Sequence, residues 1–365
     1  MYGATAFFVA LTSSAFADPI SIRAARVLDG RGKVMQNAAV VVDGGKIIRI
    51  DSAPKRADID LGDRTLMPGG IDTHVHIGWH FDAKDGRSHA DEADRGESAE
   101  EGVLYAAENG WRTLMGGITT VQSLGAPVDR SLRDAVARGV LPGPRILTAF
   151  DPIADAKLTP EQMREAVRKL VEERADVVKV FASQSIRTGG APTLTQEQLD
   201  AICSEAKAHG LRVAVHAHGP ESIRRAVMAG CSSIEHGALA DQATLDLMAE
   251  HGTWFDPQID LIFRNYFENK PHFLDGKYYT EEGFKAMESA VPKALAMFQR
   301  ALQTPKLKIV FGTDALAGSH GRNFQELESR VTKGGQAPMA AIVSATSLAA
   351  ESLGLGDRIG SIAPG

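Results

Sequence analysis

From Thr65 onward the sequence alternates short apolar runs with helical stretches, and this alternation constrains the fold more than any other feature. Eight runs read as strands: residues 66–76, 118–123, 145–149, 177–182, 212–216, 233–236, 253–257 and 308–313. Helical patterns at 98–114, 160–174, 195–209, 221–229 and 241–250 separate most of them. Pro160 after Thr159 marks a helix start, and Gly210 and Gly230 mark helix ends. Eight strand–helix units predict an α/β fold, a (β/α)8 TIM barrel whose chemistry sits at the C-terminal ends of its strands.

The chain before the barrel reads differently. Residues 20–28 alternate loosely, Asp29-Gly30 and Gly32 mark a turn, and strands at 38–43 and 46–51 flank a Gly44-Gly45 hairpin turn. The expected organisation is a small β-sandwich subdomain at 18–65, the barrel at 66–355, and the start of a return to the sandwich at 356–365. The last residues, from Gly360 to Gly365, read as the beginning of a further strand, so the sandwich is expected to be incomplete, lacking C-terminal strands. Residues 4–15 are small and apolar and lead into Ala15-Phe16-Ala17, an A-x-A cleavage pattern, although no Lys or Arg precedes them. Residues 1–17 therefore read as a signal peptide, and the location expected is periplasmic or secreted. No other segment is long and apolar enough for a membrane span.

Composition removes several functions. The net charge is −6, with no basic footprint for nucleic acid. Two cysteines cannot supply a disulfide framework or a cysteine zinc cluster. Cys203 falls in a predicted helix and Cys231 just before a strand, and two separate buried thiols are expected.

The chemistry gathers at strand ends. His74 and His76 close the first strand at i and i+2, a spacing that turns both imidazoles to one face. Lys179 interrupts the apolar strand Val177-Val178-Lys179-Val180-Phe181, where a charge is costly unless paired or modified. His216, with His218 two residues on, ends the fifth strand. His236 ends the sixth, and Asp314 follows the eighth. Singly, a strand-end His or an Asp after a Gly-Thr turn is an ordinary structural residue. Together they share one rim, and imidazoles with a carboxylate on one rim suit a metal. Two polar stretches, 80–101 and 260–282, interrupt the pattern on the same face. Each reads equally as a lid or specificity wall and as a surface insertion. The second carries Tyr266, Phe267, Tyr278 and Tyr279.

These motifs resemble the amidohydrolase superfamily of metal-dependent hydrolases over nearly the whole chain. Met67-Pro68-Gly69-Gly70-Ile71-Asp72-Thr73-His74-Val75-His76 is similar to its first-strand motif. Val215-His216-Ala217-His218-Gly219, Ile234-Glu235-His236-Gly237 and Phe311-Gly312-Thr313-Asp314 are similar to its later ones. The run from Asp176 to Ser183 resembles the fourth-strand lysine motif of the branch with Xaa-Pro and other dipeptidases, ochratoxin-type amidases and imidazolonepropionase-like proteins.

The resemblance implies two divalent metal ions. His74, His76 and Asp314 would hold one, His216 and His236 the other, and Lys179 would bridge both as an Nζ-carboxylate. Zinc suits this set best. The implied reaction is hydrolysis of a C–N (amide or peptide) bond by a metal-bridging hydroxide, with Asp314 as general base and then general acid. A dipeptide or N-acyl amino acid is the leading substrate class. A cyclic amide or imidazolone, a lactone or a phosphotriester are the enzymatic alternatives, and a metal-free barrel used as a binding protein is the non-enzymatic one. His218, Arg187 and His320 are the candidates for substrate binding, each with a plain alternative as a loop hydrogen-bonder. The partners expected are a small-molecule substrate and, as in many relatives, further copies of the chain in a homo-oligomer.

Overall fold

The computed structural model describes residues 18–88 and 96–365. The signal-peptide reading lies outside the described residues, as does the 89–95 part of the first polar stretch. Two compact units are present: one formed by the residues up to Asp29 with Lys33–Pro68 and Ile362–Gly365, the other by Gly30–Gly32 with Gly69–Ser361.

The smaller unit is one five-stranded sheet. β1 (Ile20–Leu28) pairs antiparallel with β2 (Val34–Asp43), which pairs antiparallel with β3 (Lys46–Asp51). β4 (Ile59–Asp60) and β5 (Thr65–Leu66) run parallel to β1. Gly44 and Gly45 link β2 to β3 at φ 55° and 81°, the positive pair that a two-residue type I′ turn requires. Ala24, Val27, Ala38 and Val40 form the core together with Ile362. The Ile362 amide donates to Asp29 O at 2.9 Å, and that of Gly365 to Ile47 O at 2.9 Å.

The larger unit is the barrel. The run predicted as one strand over 66–76 is broken at Pro68-Gly69, where proline has no N–H for a ladder; β6 starts only at Gly70. β6 (Gly70–Val75), β7 (Ile118–Ser123) and β8 (Arg145–Thr148) form one parallel arc. β9 (Val177–Phe181), β10 (Arg212–Ala217), β11 (Ser233–His236), β12 (Trp254–Asp256) and β13 (Lys308–Ile309) form the other. Parallel bridges Ile153↔Val180 and Val75↔Ala315 join the arcs. Across the first seam the Ile153 amide donates to Lys179 O at 2.8 Å; across the second, the Asp314 amide donates to His74 O at 2.7 Å. Eight parallel strands thus close on themselves, which leaves no open edge.

The helices start where the sequence punctuates them. Ser98, Thr159 and Thr195 each form a complete capping box, with Glu101, Gln162 and Gln198 as the reciprocal partners. Among the described residues seven α-helices go beyond the sequence expectation: Asp129–Ala137, Glu281–Gln303, Phe324–Thr332, Pro338–Ser344, Ser347–Ser352, Leu261–Glu268 and Lys270–Phe273. The last two change the reading of 260–282, which is a helical layer with its own apolar cluster rather than an irregular insertion. Phe263, Tyr266, Phe273, Tyr279 and Phe284 pack within that cluster.

The cysteine expectation is corrected. Cys203 and Cys231 are bonded in a disulfide, with Cα atoms 5.3 Å apart. Cys203 lies in the helix Gln196–Ala208, and Cys231 follows the helix Pro220–Met228, packed beside it. Between them run β10 and a helix, so a separation of 28 residues in sequence conceals adjacency in space.

Candidate functional site

β6 delivers His74 and His76 together, with ring centroids 5.5 Å apart. Asp72, two residues earlier, holds the last strand segment against the first. It accepts hydrogen bonds from the Thr313 amide (3.1 Å), Thr313 Oγ1 (2.6 Å) and Asn323 Nδ2 (2.7 Å). That clamp brings Asp314 to the two imidazoles: its Oδ1 stands 3.3 Å from His74 Nε2 and 3.2 Å from His76 Nε2. His76 Nδ1 lies 3.5 Å from Gly125 O, on the side of the ring away from Asp314.

The second group comes from β10 and β11. The rings of His216 and His236 are 4.6 Å apart, and His218 stands 4.7 Å from the first and 4.9 Å from the second. His74 and His236, 5.0 Å apart, connect the two groups. Donor atoms of His74, His76 and Asp314 lie within 4.8 Å of one another, as do those of His216, His218 and His236. His218, expected to touch substrate, is thus part of the second ring cluster.

The backbone is strained at two of these positions. His236 has φ 69° and Asp314 φ 53°, a left-handed conformation uncommon for residues other than glycine. The strain turns both side chains sharply off their strand ends toward the centre.

Burial pushes His74, His216 and His236 well below the usual imidazole range, and neighbouring rings and Lys179 add to the shift. All three are neutral, the form a cation requires. Burial also lowers Lys179, which is 1% exposed and whose Nζ has no hydrogen-bond partner. Burial alone would raise Asp314, but the His74 and His76 rings and Lys179 hold its carboxyl below the usual range. Both ring nitrogens of His74 are buried without hydrogen-bond partners. Unpartnered nitrogens, a carboxylate and an orphaned amine around one point are costly in a dry protein and natural around cations. The donor set fits divalent metal.

These groups line a cavity of about 150 Å³. Opposite them Ile262, Phe263, Tyr266, Tyr279 and Leu316 form an apolar wall, with Arg187 set in it. The Arg187 guanidinium lies 4.2 Å from the Tyr279 ring centroid and 5.9 Å from that of Tyr266.

A model of the amidohydrolase family matches residues 65–365. The chain belongs to that family. Ochratoxinase of Aspergillus niger is 27% identical over 91% of this chain and 76% of its own length. Imidazolonepropionase of Solibacter usitatus is 24% identical over 92% of this chain and 85% of its own. The crystal structure of a Xaa-Pro dipeptidase, 32% identical, superposes with a TM-score of 0.83 over 95% of this chain and 92% of that one. The protein is accordingly a hydrolase acting on carbon–nitrogen bonds, of a family that uses divalent metals.

Within this amidohydrolase, His74, His76, Lys179, His216, His218, His236, Asp314 and Arg187 all reach the one cavity. His320 does not line it. Its Nε2 stands 3.2 Å from Trp79 O, behind Trp79, which stacks on His76. Burial lowers His320 to about 4. Tyr266 and Tyr279 wall the cavity, whereas Tyr278 is exposed. Sequence reasoning missed a buried polar layer beneath the site: Glu235, Asp256, Glu326 and Arg330. A signal was present in Glu235, a charged residue inside the strand β11 and directly before His236.

Proposed function

We propose that this amidohydrolase cleaves the amide bond of a small N-acyl amino acid, with the substrate carboxylate held by Arg187. The observation behind this reading is the state of Arg187. It is a half-buried cation on the wall of the cavity, stacked on tyrosines, and no carboxylate pairs with it among the described residues. A guanidinium without a carboxylate partner in a cavity wall calls for an anion, and a carboxylate fits its fork. Arg187 also weighs against a cyclic amide that carries no carboxylate, which would leave the guanidinium unpaired.

His74, His76 and Asp314 would hold one divalent cation, and His216 and His236 the other, with zinc the best match to nitrogen and oxygen donors. Lys179, lowered toward its neutral amine, would add to CO2. The Nζ–C bond forms, one amine proton leaves to solvent, and the product is an anionic two-oxygen ligand. When bound, the cations supply Lewis acidity for the scissile carbonyl and for the attacking water. Asp314 Oδ1 would take the proton of that water and return it to the leaving nitrogen, so that a carboxylic acid and an amino acid separate. His218 would donate toward the carbonyl oxygen as charge develops there.

The wall also bears on the amino end. Among the described residues Asp314 is the one carboxylate lining the cavity. A dipeptide's ammonium finds no anion to pair with, so N-acyl amino acids should be preferred to free dipeptides. N-acetylphenylalanine and Gly-Phe differ only by that ammonium. The expected result is a higher kcat/KM for the N-acetyl compound, with the gap narrowing above about pH 8 as the amine is neutralised. No hydrolysis of either by the metal-loaded protein, with lactone or phosphotriester turnover instead, refutes the amide reading. A protein that purifies folded and will not bind metal refutes enzymatic function of this kind altogether.

We further propose that the chain works in an oxidising compartment, periplasmic or extracellular. The Cys203–Cys231 disulfide supports this, because such bonds are rare in reducing cytosol.

A further inference from the structure

Beneath the cavity, Glu235 Oε2 stands 3.0 Å from His74 Nδ1, and both side chains are 1% exposed. Neither atom has another hydrogen-bond partner. Two orphaned polar atoms sealed from water each cost free energy unless they pair, and 3.0 Å is hydrogen-bonding distance. We propose that Glu235 is a positioning residue. Its carboxylate accepts a hydrogen bond from the Nδ1–H of His74 and so fixes the tautomer whose Nε2 lone pair is free for a cation.

The surroundings hold Glu235 to this task. Ser233 Oγ donates to Oε1 at 2.6 Å, leaving Oε2 for the imidazole. Behind it lies Asp256, which accepts from Thr73 Oγ1 at 2.7 Å and stands 3.6 Å from Arg330. Arg330 is fully buried and tied to Val310 O at 2.7 Å and Gly312 O at 3.3 Å. At Gly312 a Cβ would come within 2.0 Å of Asp256 Oδ2, so the backbone has been left bare to admit that carboxylate. The line from His74 through Glu235 and Asp256 to Arg330 therefore crosses β6, β11 and β12 and reaches the segment after β13. Outer partners of this kind typically contribute about 10–100-fold to metal affinity by holding the ring in place.

This inference rests on the metal-site reading, and its test separates the two. Apo-protein is titrated with zinc against a chromophoric chelator, and with Co(II) while the visible spectrum is recorded. Glu235→Gln should bind zinc about 10–100-fold more weakly and shift the Co(II) bands. Ser233→Ala, which frees Glu235 to wander, should move both in the same direction by less. Gln198→Ala removes a buried side chain that donates to Ala156 O and Leu158 O and belongs neither to the ligand set nor to this line, and it should leave zinc affinity within about threefold of the parent whatever its thermal midpoint. Parental zinc affinity and an unchanged Co(II) spectrum in Glu235→Gln overturn the proposal. So does an equal loss of affinity in Gln198→Ala, which would mark general softening of the barrel. Should Glu235→Gln not fold, Ser233→Ala decides alone: an unchanged spectrum and affinity overturn the proposal. Failure of the parent itself to bind zinc or Co(II) instead sinks the metal-site reading.

Discussion

Lys179 and Arg187 sit eight residues apart and face one cavity, yet their chemical situations are opposite. Lys179 is an orphaned amine among imidazoles, surrounded by groups that want a cation. Its replacement by alanine should remove a ligand that both metals share. The expected outcome is under-loading with divalent metal and loss of hydrolysis, read by elemental analysis of the purified variant beside its kcat. Full metal content in that variant refutes the bridging role. Arg187 stands in the apolar wall, where in the proposed reaction it would meet the substrate. Arg187→Met should raise KM for an N-acyl amino acid and lower kcat/KM by about 10–100-fold, the loss of a charged hydrogen bond. The same variant should leave the rate on the corresponding amide, which lacks the carboxylate, nearly unchanged.

His320 shows how a residue of the right type can serve the frame instead. It is buried behind Trp79 and its pKa is lowered to about 4, mainly by burial. The native state therefore binds no proton there until well below the unfolded value near 6.5, while the unfolded chain does. Stability contributed by the neutral ring is complete above about pH 6.5 and is lost as pH falls toward 4, up to the order of 3 kcal/mol. His320→Gln keeps a donor for Trp79 O and cannot titrate. Its thermal midpoint should fall less than the parent's between pH 7 and 4.5, and parallel curves would refute the assignment.

At the scale of elements, the site is made by strand ends bent out of line. β11 ends in a left-handed His236, and the segment after β13 in a left-handed Asp314. Gly237, at φ 54°, follows the first of these. A Cβ there would lie 2.5 Å from the Phe255 ring, so only glycine lets the chain turn and clear β12 at once. The disulfide braces the helices outside the same strands. Closing a 28-residue separation restrains the unfolded chain by about 3–4 kcal/mol in the loop-entropy account. Replacing both cysteines by alanine should lower the thermal midpoint by several degrees without changing the metal content. Equal midpoints for oxidised parent and variant would show that the bond contributes nothing.

The whole barrel is a device for bringing residues 74 to 314 to one point. Because the ligand side chains come from both arcs, bound metal should act as a clasp between them. Dialysis against a chelator is expected to abolish hydrolysis and lower the thermal midpoint, and added zinc to restore both, since a ligand that binds only the native state stabilises it. A midpoint indifferent to metal would refute the clasp.

Much of this was legible in the chain. Strand–helix alternation is local, and a ligand at the end of a strand of a closed barrel must lie on one rim, so His74, His76, Lys179, His216, His236 and Asp314 could be placed before any coordinates. What stayed hidden is non-local. The helix Glu281–Gln303 contains Pro292, a residue that by local rules ends a helix. The pairing of Cys203 with Cys231, the depth of Glu235 and Asp256, and the division between Arg187 facing the cavity and His320 turned from it depend on neighbours far away in sequence. Periodicity and strand termini determined the architecture and which side chains share the rim, because they follow from backbone geometry, while the assignment of ligands came from the family resemblance. Partner choice for each buried polar group was left to tertiary packing, because it depends on which side chains the closed barrel excludes from water together.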